Sequence, residues 1–214
     1  MSYPRSGNHL ARAILEGYSH RPTIGCPGVT KRDGPIYLRK PNLRDGAIMV
    51  DDQRPIGFKS HFVREFHTHD RALGGQAGLL LITRDPLKAI SSHVYRDVSC
   101  GTFTRDRTIR KRVSASIDSY LSLIHIYRSM ADRPRLHVCF EALTNPETRV
   151  ATAQKLLTGM GVDAKVSLTE LDAICDAAKA SQTSIGKVRG RLMDRIRATV
   201  REGIAYDEVL TLID

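Results

Sequence analysis

Tryptophan is absent and aromatic residues make up only 6% of the chain. With no RNA- or DNA-binding signature beside them, so few stacking faces argue against a nucleic-acid-binding module. Cysteine is equally sparse. Cys26, Cys100, Cys139 and Cys175 lie far apart with no CxxC pair, which suggests neither a structural zinc site nor a disulfide framework and makes a reducing, cytoplasmic setting the expectation. Long apolar runs are missing too. Stretches such as residues 77–82 fall far short of the roughly 20 residues a membrane-spanning helix needs, and no charged-then-apolar leader opens the chain. The GxxxxGK[ST] phosphate loop is also absent, so a kinase or other phosphotransferase would lack its loop lysine and its magnesium-binding hydroxyl. Internal repeats and low-complexity tracts are not visible.

What is present is a chain of 214 residues, 41% hydrophobic and 26% charged, long enough for one sizeable core and too short for two. A single domain over residues 1–214 is expected. The formal net charge of +10 suits a polyanionic partner, and charge alone does not choose among nucleic acid, lipid, acidic glycan and a multiply charged nucleotide. Much of the charge sits in residues 105–112 and 187–201, both of which also fit the solvated faces of helices.

Pro and Gly are densest over residues 21–46, which reads as loop with only short regular pieces. Beyond it, short apolar runs at 47–50, 56–62, 78–83 and 136–140 alternate with helical patterns. Asp85-Pro86 places a capping acceptor before a proline at the first helical position, and Asn145-Pro146 repeats the device ahead of residues 147–158. Ser167-Leu168-Thr169-Glu170 is a capping box opening a helix to about Lys179. Residues 107–130 carry a long helical pattern with room for one break. This alternation predicts a central parallel sheet flanked by helices, a fold that binds ligands beyond the carboxyl ends of its strands.

Two segments fall at such positions. Tyr3-Pro4-Arg5-Ser6-Gly7-Asn8-His9 runs into the helical pattern Leu10-Ala11-Arg12-Ala13-Ile14-Leu15. A loop of small residues opening a helix presents unpaired backbone N–H groups and the positive dipole end to an anion. The second segment, Leu81-Ile82-Thr83-Arg84-Asp85-Pro86, puts an arginine at the end of a buried strand, with Ser92 about two helical turns further on. Each segment alone is as well explained by an ordinary junction or a surface ion pair.

Together with Phe58-Lys59-Ser60-His61 and Phe140-Glu141-Ala142-Leu143 followed by Asn145-Pro146, these segments resemble, in order, four motifs of the sulfotransferases that use 3′-phosphoadenosine 5′-phosphosulfate (PAPS). The resemblance spans about residues 2–161. It implies a P-loop-containing nucleoside triphosphate hydrolase-like sulfotransferase fold and an enzyme that moves the sulfuryl group of PAPS to a hydroxyl or amine of a small-molecule or carbohydrate acceptor, leaving 3′-phosphoadenosine 5′-phosphate (PAP). By the same resemblance Pro4, Arg5, Ser6, Gly7, Asn8 and His9 hold the 5′-phosphosulfate, Arg84 and Ser92 the 3′-phosphate, and Phe140 lies by the adenine. His61 is the implied general base, with Lys59 and Arg5 stabilising charge. The C-terminal nucleotide segment of the family is reduced here to Val188-Arg189-Gly190 at best. Arg5 stands where the cytosolic enzymes carry lysine, which restricts it to an electrostatic role.

The remaining candidates have plainer readings. His61, His67 and His69 lack the spacing of a metal site. His9 and His93 line the cleft, His125 is a packing histidine in an apolar stretch, and Glu16 is a solvated helix carboxylate. Tyr120 and Tyr127 share one helix face and read as packing. The acceptor would be read by variable loops at residues 17–46 and 97–112.

Overall fold

The residues of the apolar run after Gly78 form β3 (Leu79–Thr83), which pairs in parallel with β4 (Arg135–Cys139) from Leu79 opposite Arg135 to Thr83 opposite Cys139. A computed structural model describes residues 1–21, 23–24, 56–72, 74–75, 78–99, 106–180 and 190–204. Within them the protein is α/β and mostly helical, with parallel strand pairing. In chain order the other elements are α1 (Asn8–Ser19), β1 (Thr23–Ile24), β2 (Gly57–Phe58), α2 (Val63–Ala72), α3 (Pro86–Ser99), α4 (Asp106–Ser129), α5 (Phe140–Thr144), α6 (Arg149–Gly159), α7 (Leu168–Ala180) and α8 (Arg191–Gly203).

β1 and β2 form a second parallel pair. The extended residues before the Arg5 loop connect it to the first. Ser2 bridges Ile82 in parallel, Ile82 N–H donates to the Met1 carbonyl at 3.0 Å, and Ser2 N–H donates to the Ser60 carbonyl at 3.0 Å. The start of the chain therefore lies between β3 and the segment leaving β2.

β3 alternates its side chains between two apolar clusters, as a strand covered on both faces must. Leu79 and Leu81 join Phe66, Ile90, Val94, Ile109, Leu123, Ile124, Ile196 and Val200, which come from α2, α3, α4 and α8. Ile82 joins Ala11, Ile14, Leu15, Val138, Leu156, Leu157, Leu171 and Ile174, chiefly from α1, α6 and α7. Each fully buried Leu or Ile contributes about 1.5–3 kcal/mol, so these two clusters hold the helices against the strands.

The helix starts follow their local signals in two cases. Asp85 Oδ1 accepts the Lys88 N–H at 3.0 Å and Ser167 Oγ accepts the Glu170 N–H at 3.3 Å. Asn145 behaves differently. Its Oδ1 accepts the Glu147 N–H at 3.1 Å and its carbonyl the Thr148 and Arg149 N–H groups, so the Asn-Pro pair makes a turn and α6 begins at Arg149, later than expected. α4 is continuous, without the break its sequence allowed. The strand expected over 56–62 is limited to Gly57–Phe58, because α2 starts at Val63 and the Glu65 carboxylate takes the His61 N–H at 2.7 Å. The run at 47–50 and the loop at 25–46 lie outside the described residues.

The exposed arginines of α8, Arg191, Arg195, Arg197 and Arg201, follow the solvated-face reading; Ile196 and Val200 supply its buried face. No helix among the described residues is long and apolar enough to cross a membrane.

Candidate functional site

After Tyr3 the chain leaves its extended path in a tight turn closed by Ser6 N–H donating to the Tyr3 carbonyl at 3.2 Å. Arg5 adopts a left-handed φ of 70°, a conformation that costs a non-glycine residue about 1 kcal/mol or more and is retained mainly where the surroundings require it. Gly7, at φ 84°, caps α1 without any side-chain hydrogen bond to the helix N-terminus. Leu10 and Ala11 N–H donate to the Gly7 carbonyl at 3.0 and 3.2 Å, so α1 starts directly from this loop and its positive dipole end lies beside it.

The loop's neighbours come from three other segments. Arg84, at the end of β3, donates from one terminal guanidinium nitrogen to the Arg5 carbonyl at 3.0 Å. Its guanidinium also lies over the Phe140 ring, 4.8 Å from the centroid. Arg5 in turn donates from Nε to Ser92 Oγ on α3 at 3.2 Å. Phe140 packs so closely on the loop that a Cβ at Gly7 would lie 2.0 Å from its ring. Arg5, Gly7, Arg84, Ser92 and Phe140 are thereby brought together at the carboxyl ends of β3 and β4.

The electrostatics favour an anion. Burial, and then the like charges of Arg96 and Arg84, hold the Arg5 guanidinium below its ordinary pKa. Three cations are close enough to oppose one another, and an arriving phosphate or sulfate oxygen relieves that opposition. Arg84 Nε and Ser6 Oγ are buried without a protein hydrogen-bond partner. Buried donors left unpaired are costly, and both belong to the segments that would face such an oxygen.

Because Gly7 combines a left-handed φ with contact against Phe140, Gly7→Ala is expected to destabilise the protein by about 1–3 kcal/mol. Denaturant midpoints would measure it. A wild-type midpoint would mean that Phe140 does not pack on this loop.

His61 sits on the other flank of the loop. Its Nδ1–H donates to the Ser2 carbonyl at 2.8 Å, which leaves Nε2 as the accepting nitrogen of the neutral ring. Burial, reinforced by the Lys59 charge, pushes its pKa down to about 3. That is far below the ordinary histidine value of about 6.5. Lys59 is half-buried and, with Ser60, Asn8 and Arg12, lines a cavity of about 620 Å³. That cavity extends toward the amino ends of β3 and β4, along Gly78, Leu79, Pro134 and Arg135, and includes none of Arg5, His61, Arg84, Ser92 or Phe140. The cluster of Arg5, Arg84, Ser92 and Phe140 therefore lies at the opposite strand ends from this cavity.

Other expected site residues are more dispersed. Pro4 is buried, His9 is exposed, and Asn8 Nδ2 donates to Ser2 Oγ at 2.8 Å, tying α1 to the preceding extended run. Gly190 caps α8, and a Cβ there would meet nothing within 4 Å, so it does not pack on the loop. Arg189 lies outside the described residues. His67 is exposed beside Phe66, and the His69 side chain is outside the described set. Among the described residues no three His, Cys, Asp or Glu side chains gather as for a metal.

Three readings of single residues change. Glu16 is not solvated; it is 2% exposed, accepts the Thr23 N–H at 3.0 Å and pairs with Arg12 at 3.7 Å. His125 is exposed rather than packed. Tyr120 does more than pack, since its hydroxyl donates to the Arg84 carbonyl at 2.8 Å. Glu141 is a further residue whose role the sequence left unassigned: its carboxylate accepts the Asp85 N–H at 3.2 Å and the Cys139 thiol at 3.1 Å. Only its position inside the Phe140-Glu141-Ala142-Leu143 segment drew attention to it. No family profile, curated protein or solved structure matches this chain.

Proposed function

We propose that the protein is a PAPS-dependent sulfotransferase of the P-loop-like sulfotransferase fold, transferring a sulfuryl group to an acceptor hydroxyl or amine. The observation that carries this reading is the meeting of Arg5, Arg84, Ser92 and Phe140 around the Gly7 loop. Cations from the loop before α1 and from the end of β3, a hydroxyl and an aromatic face fit a nucleotide bearing two anionic groups.

PAPS, when bound, supplies an activated sulfuryl group on its 5′-phosphate. The Arg5 loop and the N-terminus of α1 would hold the phosphosulfate, with Arg5 compensating charge that grows on the bridging oxygen as the sulfur–oxygen bond breaks. Arg84 and Ser92 would hold the 3′-phosphate, and Phe140 would lie by the base. His61 would take the acceptor's proton on Nε2 while the acceptor oxygen or nitrogen forms its bond to sulfur. Lys59 would lend positive charge to the sulfuryl oxygens. Positioning and charge compensation account for most of the work in such an in-line transfer.

Calorimetry with PAP, ATP and a mixed DNA duplex tests the reading. PAP is expected to bind selectively, with ATP and DNA at least about tenfold weaker, a difference of about 1.4 kcal/mol. Preference for ATP would turn the assignment toward a phosphotransferase, and preference for the duplex toward a nucleic-acid-binding protein. Labelled PAPS offered to a panel of alcohols, amines and glycans would then identify the acceptor.

A further inference from the structure

Arg84 and Asp85 share one peptide unit, and that unit is gripped at both ends. Tyr120, 3% exposed on α4, donates its hydroxyl to the Arg84 carbonyl at 2.8 Å. On the other end of the same unit, the Asp85 N–H donates to the Glu141 carboxylate at 3.2 Å. A peptide unit is planar, so these two bonds fix its plane; with the preceding residue held by the pairing of Thr83 opposite Cys139, the direction in which the Arg84 side chain leaves β3 is fixed from both sides.

Tyr120 is tied to the phosphate loop as well. Tyr3, two residues before Arg5, meets the Tyr120 ring edge-on with centroids 5.3 Å apart, an arrangement that aromatic pairs favour. Burial raises the Tyr120 phenol well above its ordinary pKa, so it stays a donor throughout the physiological range. The result is one continuous set of contacts, from α4 through Tyr120 to the Arg84 backbone, and from the Arg84 guanidinium to the Arg5 carbonyl and the Phe140 ring.

The geometry points to Tyr120 as a positioning residue for Arg84: its hydroxyl, opposite Glu141, sets the angle at which the guanidinium meets a phosphate group of the ligand. Neither Tyr120 nor Glu141 needs to touch the ligand for this. The inference rests on the nucleotide reading of the site for its functional consequence, but the positioning itself is a property of the ligand-free protein.

Tyr120→Phe keeps the ring and removes only the hydroxyl, so its circular dichroism should match wild type. In the ligand-free protein, the ¹⁵N-edited resonance of the Arg84 Nε–H, identified by its loss in Arg84→Lys, should shift or broaden in Tyr120→Phe. By calorimetry, the factor by which the 3′-phosphate strengthens binding, PAP against adenosine 5′-monophosphate, should fall roughly three- to tenfold, the range expected for one neutral hydrogen bond. Affinity for adenosine 5′-monophosphate should stay within about twofold, since in this reading its contacts do not include Arg84. An unmoved Arg84 resonance, or an undiminished 3′-phosphate factor, overturns the inference. A wild-type protein indifferent to the 3′-phosphate instead overturns the nucleotide reading, and the resonance alone then decides whether Tyr120 positions Arg84.

Discussion

His61→Ala is expected to lower the rate of sulfuryl transfer roughly 10²- to 10⁴-fold, the usual contribution of a positioned general base, while PAP affinity stays within a few-fold of wild type. The ring is held in one tautomer by its Nδ1–H bond to the Ser2 carbonyl, so Nε2 is the nitrogen that can accept a proton. With its pKa pushed down to about 3 by burial and the Lys59 charge, His61 is neutral across pH 5–8 in the free protein. PAP/PAPS affinity and kcat/KM should therefore show no loss near pH 6.5 that traces to this residue, in contrast to an unperturbed histidine. Bound phosphosulfate, being anionic, should raise the His61 pKa, which favours proton uptake during transfer. The stability consequence has a definite sign. A folded-state pKa below the unfolded value of about 6.5 means that His61 supports the fold fully above that pH and loses this support as pH falls toward 3. Urea midpoints of wild type should decline with acidification over that window, and His61→Gln should show a shallower decline. Full turnover in His61→Ala with a confirmed acceptor removes the assignment. A matching loss in His67→Ala would identify a different base.

Arg84→Ala is expected to weaken PAP binding by about 1.5–3 kcal/mol, the range for a charged hydrogen bond, or roughly 10- to 150-fold. Binding of adenosine 5′-phosphosulfate, which lacks the 3′-phosphate, should change much less. Ser92→Ala should follow the same pattern with a smaller loss. The comparison between nucleotides is needed because Arg84 also donates to the Arg5 carbonyl and covers the Phe140 ring, so its removal loosens the loop. Arg84→Lys separates the two roles. It retains a point charge but lacks the planar fork needed to engage the Arg5 carbonyl and a phosphate together, and should recover only part of the lost affinity. Equal losses for both nucleotides would remove the 3′-phosphate role from Arg84 and leave it a loop-supporting residue.

Several features of this protein are decided within a few residues, and those the sequence determined by itself. The apolar run at β3, the Asp85 and Ser167 caps and the small-residue loop entering α1 are settled by side-chain pattern, hydrogen bonds of three-residue reach and the steric freedom of Gly7. Alternation of strand and helix likewise implied parallel pairing with helices on both faces of β3, since a covered strand must direct successive side chains to opposite clusters. Where a short signal competes with its neighbours, the local reading fails: Asn145 spends its acceptor on a turn, and Glu65 draws the chain after Phe58 into α2. The site required the tertiary structure. Arg84 and Arg5 are 79 residues apart and meet only because the β3 end lies beside the loop; Tyr120 reaches the Arg84 carbonyl from another helix. Proton affinity was decided in the same way. The His61 pKa and the enclosure of Glu16 depend on how much water the packed neighbours exclude and which charges they bring close, quantities that no residue type carries alone.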